Sequence, residues 1–116
     1  MGAVALCTGA ASGIGRATAV ALAQRGASVV ASDVDAAGGE ETVELLRKSG
    51  GTAEFVRADI GEPGDVDALV AAVLERFGRL DAAANVAGTH AGLGALTADV
   101  SEADFDTQIR VNLRGT

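Results

Sequence analysis

Thr8-Gly9-Ala10-Ala11-Ser12-Gly13-Ile14-Gly15 stands between an apolar run, Ala3 to Cys7, and a stretch with helical patterning, Ile14 to Arg25. Three glycines fall between positions 9 and 15. They open backbone conformations closed to other residues and leave no Cβ where another group must come close. A helix that begins at such a turn aims its unpaired N–H groups, and the positive end of its dipole, at whatever sits there. A diphosphate suits that place. Glycines also serve plain tight turns and close helix-on-sheet packing, so the turn by itself leaves both readings open.

Spacing adds weight to the first reading. The next apolar run, Ser28 to Ser32, is followed by Asp33, where a ribose hydroxyl pair lies in a dinucleotide-binding βαβ unit. Between the two runs, the alanine-rich segment up to Arg25 favours a helix, and Gly26 stops it. The same punctuation recurs where Arg47-Lys48 precede Gly50-Gly51 and where Arg76 precedes Gly78.

Asp35 is the expected N-cap of the second helix, which Gly38-Gly39 weaken in its first turn while Val43 and Leu46 keep one face apolar. A third strand is predicted over residues 52–58, with Glu54 and Arg57 marking a sheet edge. Pro63 opens the third helix, with Asp65 and Asp67 near its positive end. Val66, Leu69, Val70, Val73, Leu74 and Phe77 form its apolar stripe. A fourth strand is expected at 80–86, then a glycine-containing loop over 87–98. Ser101-Glu102-Ala103-Asp104 resembles a capping box before a helix that carries Phe105 and Ile109 on one face.

Strands alternating with helices imply an α/β domain: a doubly wound parallel sheet, right-handed crossovers, and helices on both faces. Ligands of such sheets bind beyond the carboxyl ends of the strands. The glycine turn, Asp33, Asp59 and Asn85 all fall there.

The 116 residues suit a single domain over 1–116, and 48% of them are hydrophobic. The net charge of −7, with its basic residues scattered, argues against nucleic acid as a partner. The lone Cys7 reads as a small buried apolar residue, and one cysteine allows no disulfide within the chain. His90 has no second histidine or cysteine pair at ligand spacing, so no metal site is expected. No apolar run approaches the length of a membrane span, and no basic segment leads into an apolar core at the start. A soluble cytoplasmic protein is the default expectation.

The residues resemble the short-chain dehydrogenase/reductase family through Thr8 to Gly15, Asp59-Ile60, Asn85-Val86-Ala87-Gly88 and Val111-Asn112-Leu113-Arg114-Gly115. These motifs stand in family order along the whole chain, and Asn85 to Gly88 departs slightly from the family's double asparagine. The resemblance implies an incomplete Rossmann-type sheet of about four strands that binds NAD(P). By it, Gly9, Ser12, Gly13, Ile14 and Gly15 surround the diphosphate. Asp33 accepts from the adenosine ribose hydroxyls, Asp59 from the adenine amino group, and Ile60 lies on the ring. Asn85 ties the strand to its neighbours or contacts the cofactor, while Ala87 and Gly88 leave room for the nicotinamide-side ribose. Asn112 supports a catalytic proton relay. Asp33 favours NAD over NADP, because unit charges about 4 Å apart repel by roughly 4 kcal/mol at an effective dielectric near 20. Arg16 is the counter-candidate for a 2′-phosphate.

In this family hydride passes between the nicotinamide and an alcohol or carbonyl carbon of a small-molecule substrate, with a tyrosine as general acid/base. The chain holds no tyrosine. It also carries neither the family's serine nor its Tyr-x-x-x-Lys motif, so the expectation is an oxidoreductase's truncated cofactor-binding portion, inactive alone. A noncatalytic nucleotide-binding module and one half of a split enzyme are the alternatives. With strand four at an edge, self-association or a homo-oligomer is expected. The loop from Thr89 to Thr97 offers one wall of a substrate pocket, and the substrate stays unassigned.

Overall fold

A computed structural model describes residues 2–116. The elements alternate: β1 Val4–Thr8, α1 Gly13–Gln24, β2 Ser28–Asp33, α2 Ala36–Lys48, β3 Ala53–Arg57, α3 Pro63–Phe77 and β4 Ala82–Asn85. A 3₁₀ turn, Thr97–Asp99, leads to α4, Glu102–Gln108, which widens into a π-helical stretch over Ile109–Gly115. The four strands form one parallel sheet in the order β3-β2-β1-β4. The predicted doubly wound architecture is the one found.

Alternation along the strands divides the core in two. Cys7, Val29, Ala31 and Ala53 face α1 and α2, where they meet Ala19, Val43 and Leu46. Val4, Leu6 and Val30 face the other way, against Leu69 and Val73 of α3. The central strands β1 and β2 are thus buried on both sides, as their uncharged β-branched and small residues foretold. β3 is an edge strand, as Glu54 and Arg57 suggested. β4 forms the other edge, with Ala82 and Ala83 exposed.

Helix punctuation follows the sequence closely. Asp35 caps α2 by accepting from the Gly38 N–H at 3.1 Å, and Ser101 caps α4 by accepting from the Asp104 N–H at 3.0 Å. Gly26, Gly50 and Gly78 all carry the positive φ that ends a helix. Gly38-Gly39, expected only to weaken α2, have a packing role. A Cβ at Gly39 would run into the Phe55 ring, and one at Gly38 would lie 2.9 Å from the Ala11 methyl. The two glycines let α2 lie close against β3 and the turn before α1.

Strand four is shorter than expected, because pairing with β1 covers only Ala5 to Thr8 against Ala82 to Asn85. Phe105 lies in α4 while Ile109, expected on the same helix face, begins the π-helical stretch, and both side chains are exposed. Among the described residues, no helix is long and apolar enough to cross a membrane.

Candidate functional site

The turn after β1 is built on contacts that only glycine permits. Gly9 has φ +67°, and a Cβ there would lie 2.8 Å from the Ala87 backbone. A Cβ on Gly15 would overlap the Gly9 carbonyl. These two glycines press the start of α1 against the ends of β1 and β4. Gly13 differs, since its φ of +55° is left-handed but a Cβ there would meet open space.

Backbone donors are left available at the start of α1. Ser12 is the N-cap but makes no side-chain cap bond, and the first turn holds no acidic residue. By contrast, a carboxylate caps α2 and a hydroxyl caps α4. The uncapped N–H groups and the dipole of α1 suit an anion supplied from outside the chain.

Asp33 sits at the end of β2 beside this turn. Its Oδ2 accepts from the Ala11 N–H at 3.0 Å and its Oδ1 from the Asp35 N–H at 3.0 Å. Both bonds fix the carboxylate, and each oxygen keeps lone-pair capacity for another donor. Arg16 is fully engaged elsewhere: its guanidinium donates to the Ala11 carbonyl at 2.7 Å, the Gly38 carbonyl at 3.2 Å and the Thr42 hydroxyl at 2.8 Å. Thr42, wholly buried, donates in turn to the Ala10 carbonyl at 2.7 Å. Arg16 and Thr42 therefore strap the turn to α2.

Below the turn, Cys7 is buried and its thiol donates to the Gly15 carbonyl at 3.3 Å. Burial pushes its pKa up to about 11, so the thiol stays protonated at neutral pH. It behaves as the small buried residue expected, not as a nucleophile. His90 lies exposed on its loop, and no cluster of three metal-ligating side chains exists among the described residues.

The carboxyl ends of the strands enclose a cleft of about 290 Å³. Gly9, Asp33, Asp59, Ile60, Ala87 and Gly88 all line it. Ser12, Gly13, Ile14 and Gly15 stand outside this lining at the start of α1, with Ile14 largely exposed. Asn85 ends β4 in register with Thr8 and lies outside the lining too.

Asn112 also stands outside the cleft wall, yet it shapes it. Its side-chain amide donates to the Thr89 carbonyl at 2.7 Å while its Oδ1 accepts from the Thr89 N–H at 2.7 Å. The amide thus pairs with the loop after β4 as a neighbouring strand would. Nδ2 donates as well to Gln108 Oε1 at 2.8 Å.

On the loop after β3, Asp59 receives the Gly61 N–H at 2.9 Å and the Arg110 guanidinium at 3.0 Å. Desolvation opposes ionisation of Asp59, but the Gly61 N–H and Arg110 together outweigh it and hold the carboxyl below its usual range.

Sequence reasoning passed over several lining residues. Thr8 Oγ1 accepts from the Ala87 N–H at 3.2 Å, joining β1 to the loop after β4. Ser32 is buried in the cleft floor, and its hydroxyl has no partner among the described residues. Arg110 had no motif to mark it, because its significance comes from Asp59, 51 residues away.

The fold and cleft define a parallel α/β protein with an uncapped helix start and two hydrogen-bonded carboxylates beside one cleft. Residues 9–116 match a family model described as enoyl-(acyl carrier protein) reductase. An uncharacterized oxidoreductase of Thermotoga maritima is 43% identical over 114 residues, covering 98% of this chain and 44% of the relative. A short-chain dehydrogenase/reductase from Burkholderia phymatum, solved in complex with NAD, superposes with a TM-score of 0.93 at 38% identity, over 98% of this chain and 40% of that one. A metagenomic short-chain oxidoreductase solved with NADP superposes with a TM-score of 0.91 at 33% identity, over 97% of this chain and 51% of that one. The chain belongs to the short-chain dehydrogenase/reductase family. It spans less than half the length of the curated relatives it matches.

Proposed function

We propose that this chain binds a nicotinamide dinucleotide in the cleft, with NAD preferred, and supplies the cofactor half of an oxidoreductase acting on an alcohol or carbonyl compound. The observation that carries the reading is the pairing of an uncapped α1 N-terminus with Asp33, whose two oxygens are aimed by backbone N–H groups. The residues fit the group: Gly9 and Gly15 leave a side-chain-free cradle, and a carboxylate stands one strand away.

In this reading the N–H groups of Gly13, Ile14 and Gly15 donate to the diphosphate. Asp33 accepts from the adenosine ribose hydroxyls, bonds to a charged acceptor worth about 1.5–3 kcal/mol. Its charge disfavours a 2′-phosphate. Arg16, tied to α2, offers that phosphate no compensation. Asp59 accepts from the adenine amino group, and Ile60 covers the ring. Thr8 and Asn112 hold the loop after β4, so that Ala87 and Gly88 leave room for the nicotinamide-side ribose. When bound, NAD supplies a hydride acceptor. Proton transfer at the substrate oxygen needs a general acid/base, and the chain has no tyrosine to provide one. We therefore assign the chain cofactor binding without turnover of its own.

Calorimetric titration with NAD and NADP tests this assignment, together with a dehydrogenase assay. The expected result is NAD binding tighter than NADP binding, without turnover. Equal affinity for the two, or robust turnover by these residues alone, would contradict it. A second reading, that further strands from the same or another polypeptide continue the sheet, is favoured by exposed Ala82 and Ala83 on edge strand β4.

A further inference from the structure

We propose that Arg110 is a positioning residue for the adenine end of the cleft, holding the Asp59 carboxylate in the orientation from which it reads the adenine amino group. The proposal rests on the dinucleotide reading above and adds to it a residue that reading does not contain.

Asp59 lies on the loop after β3, with its side chain 25% exposed, and Arg110 reaches it from the π-helical stretch with 38% exposure. An unpinned aspartate on a loop samples several rotamers, and choosing one costs affinity at the moment of binding. Here that choice is already made. Gly61 N–H holds Oδ1 and Arg110 Nη1 holds Oδ2, one bond to each oxygen. Each oxygen has a second lone-pair direction, so the carboxylate is fixed without being saturated. The adenine amino group is a neutral donor and meets little repulsion from a guanidinium already paired with a carboxylate. Orientation is therefore the larger effect of Arg110.

Two glycines show how closely the fold brings the two segments together. A Cβ on Gly61 would collide with Arg110 Nη1 and lie 2.8 Å from its Cζ. A Cβ on Gly115 would lie 2.8 Å from the Ile60 carbonyl. The two segments thus meet backbone against backbone at Ile60 and Gly115, while at Gly61 the neighbour is the Arg110 guanidinium, which a methyl group would displace. Arg110 also lines the cleft itself. Glu62, 60% exposed and 3.4 Å from the guanidinium, is a weaker second partner on the solvent side.

The test compares NAD with nicotinamide hypoxanthine dinucleotide, which carries a carbonyl oxygen where adenine carries its amino group. Affinities for both are measured on the protein in its natural length, for wild type, Arg110→Met, Arg110→Lys, Gly61→Ala and Asp59→Asn. Wild type is expected to prefer NAD. Arg110→Met should shrink that preference about three- to tenfold, with partial rescue in Arg110→Lys. Gly61→Ala, which keeps Arg110 but fills its path, should shrink it likewise. In the Asp59→Asn background the Arg110→Met change should add nothing, because the carboxylate it positions is gone. Equal weakening of both dinucleotides in Arg110→Met and Gly61→Ala would make the ion pair merely structural and overturn the proposal. So would an effect that persists undiminished with Asp59→Asn. A wild type that binds NAD without preferring it would instead remove the role of Asp59 toward adenine. One that binds neither dinucleotide would remove the cofactor reading and this inference together.

Discussion

The two sides of the cleft are built in opposite ways. The side formed by β1, the glycine turn and α1 is made mostly of neighbours in sequence, pressed together backbone on backbone and backed by core residues such as Cys7 and Ala19. The far side is assembled from a distance. Asn112 reaches back 23 residues to Thr89, and Arg110 reaches back 51 to Asp59, through side chains that are half-buried or exposed. The first side can be broken by adding one methyl group. The second is held by polar bonds that water can partly replace, so single changes there should cost less stability.

The sharpest break of that comparison is Gly15→Ala. Its Cβ would overlap the Gly9 carbonyl, so either the turn opens or α1 moves off the sheet. The expected cost lies at the upper end of overpacking, roughly 3 kcal/mol or more, read as a lowered urea midpoint, with loss of NAD binding. Gly13→Ala is its control. Space is open there and only the left-handed φ is penalised, so the expected cost falls to roughly 1–2 kcal/mol. Similar losses in the two variants would show that crowding of the turn is not what makes this side rigid.

Asp33→Ala comes next and acts on binding more than on folding. Removing bonds worth about 1.5–3 kcal/mol predicts a fall in NAD affinity of roughly 10- to 100-fold. NADP should lose far less, because the repulsion of its 2′-phosphate disappears with the carboxylate. An unchanged NAD to NADP ratio would remove Asp33 from the ribose end. The Ala11 N–H, left without its acceptor, should also make the turn somewhat less stable.

This asymmetry also decides what could be read from the sequence. The architecture was legible because β1 and β2 are uncharged runs bounded by glycines, and because Asp35, Pro63 and Ser101 mark helix starts by local rules. The glycine turn and Asp33 were legible for the same reason, since their meaning depends on residues within one βαβ unit. Gly38-Gly39 were misjudged: as residues in a helix they weaken it, and only the Phe55 ring and the Ala11 methyl, brought in by the fold, explain their presence. Arg110 had no local rule at all. An arginine near a helix end is ordinary, and its partner becomes visible only when the loop after β3 and the π-helical stretch come together. Ser32 likewise read as one more small strand residue until the cleft formed around its hydroxyl, which has no partner among the described residues.

On the far side, Asn112→Ala removes both bonds to the Thr89 backbone and the contact with Gln108. These groups are largely exposed, so water replaces part of the loss, and about 1 kcal/mol is expected. The effect should concentrate in the loop. Amide exchange at Thr89 should accelerate while exchange in β1 and β2 stays slow. Global loosening of the sheet would mean that the two sides are not energetically separable.

The smallest expected effect is a pH dependence at the other long-range contact. The Asp59 carboxyl is held below its ordinary value, so its ionised form favours the folded chain. That contribution is complete at pH values above the unfolded carboxyl's pKa, near ~3.9. It fades as pH falls through the lower folded value. Asp59→Asn cannot titrate, so the stability of wild type minus that of the variant should be constant from neutral pH down to about 4 and then decline. Because Asp59 and Arg110 are partly exposed, the decline should stay within the roughly 0.2–1 kcal/mol typical of solvent-accessible ion pairs. Denaturant unfolding of both proteins across that range measures it. A decline several times larger would mean that Arg110 and Asp59 carry stability comparable to the glycine turn, and the contrast between the two sides would fail.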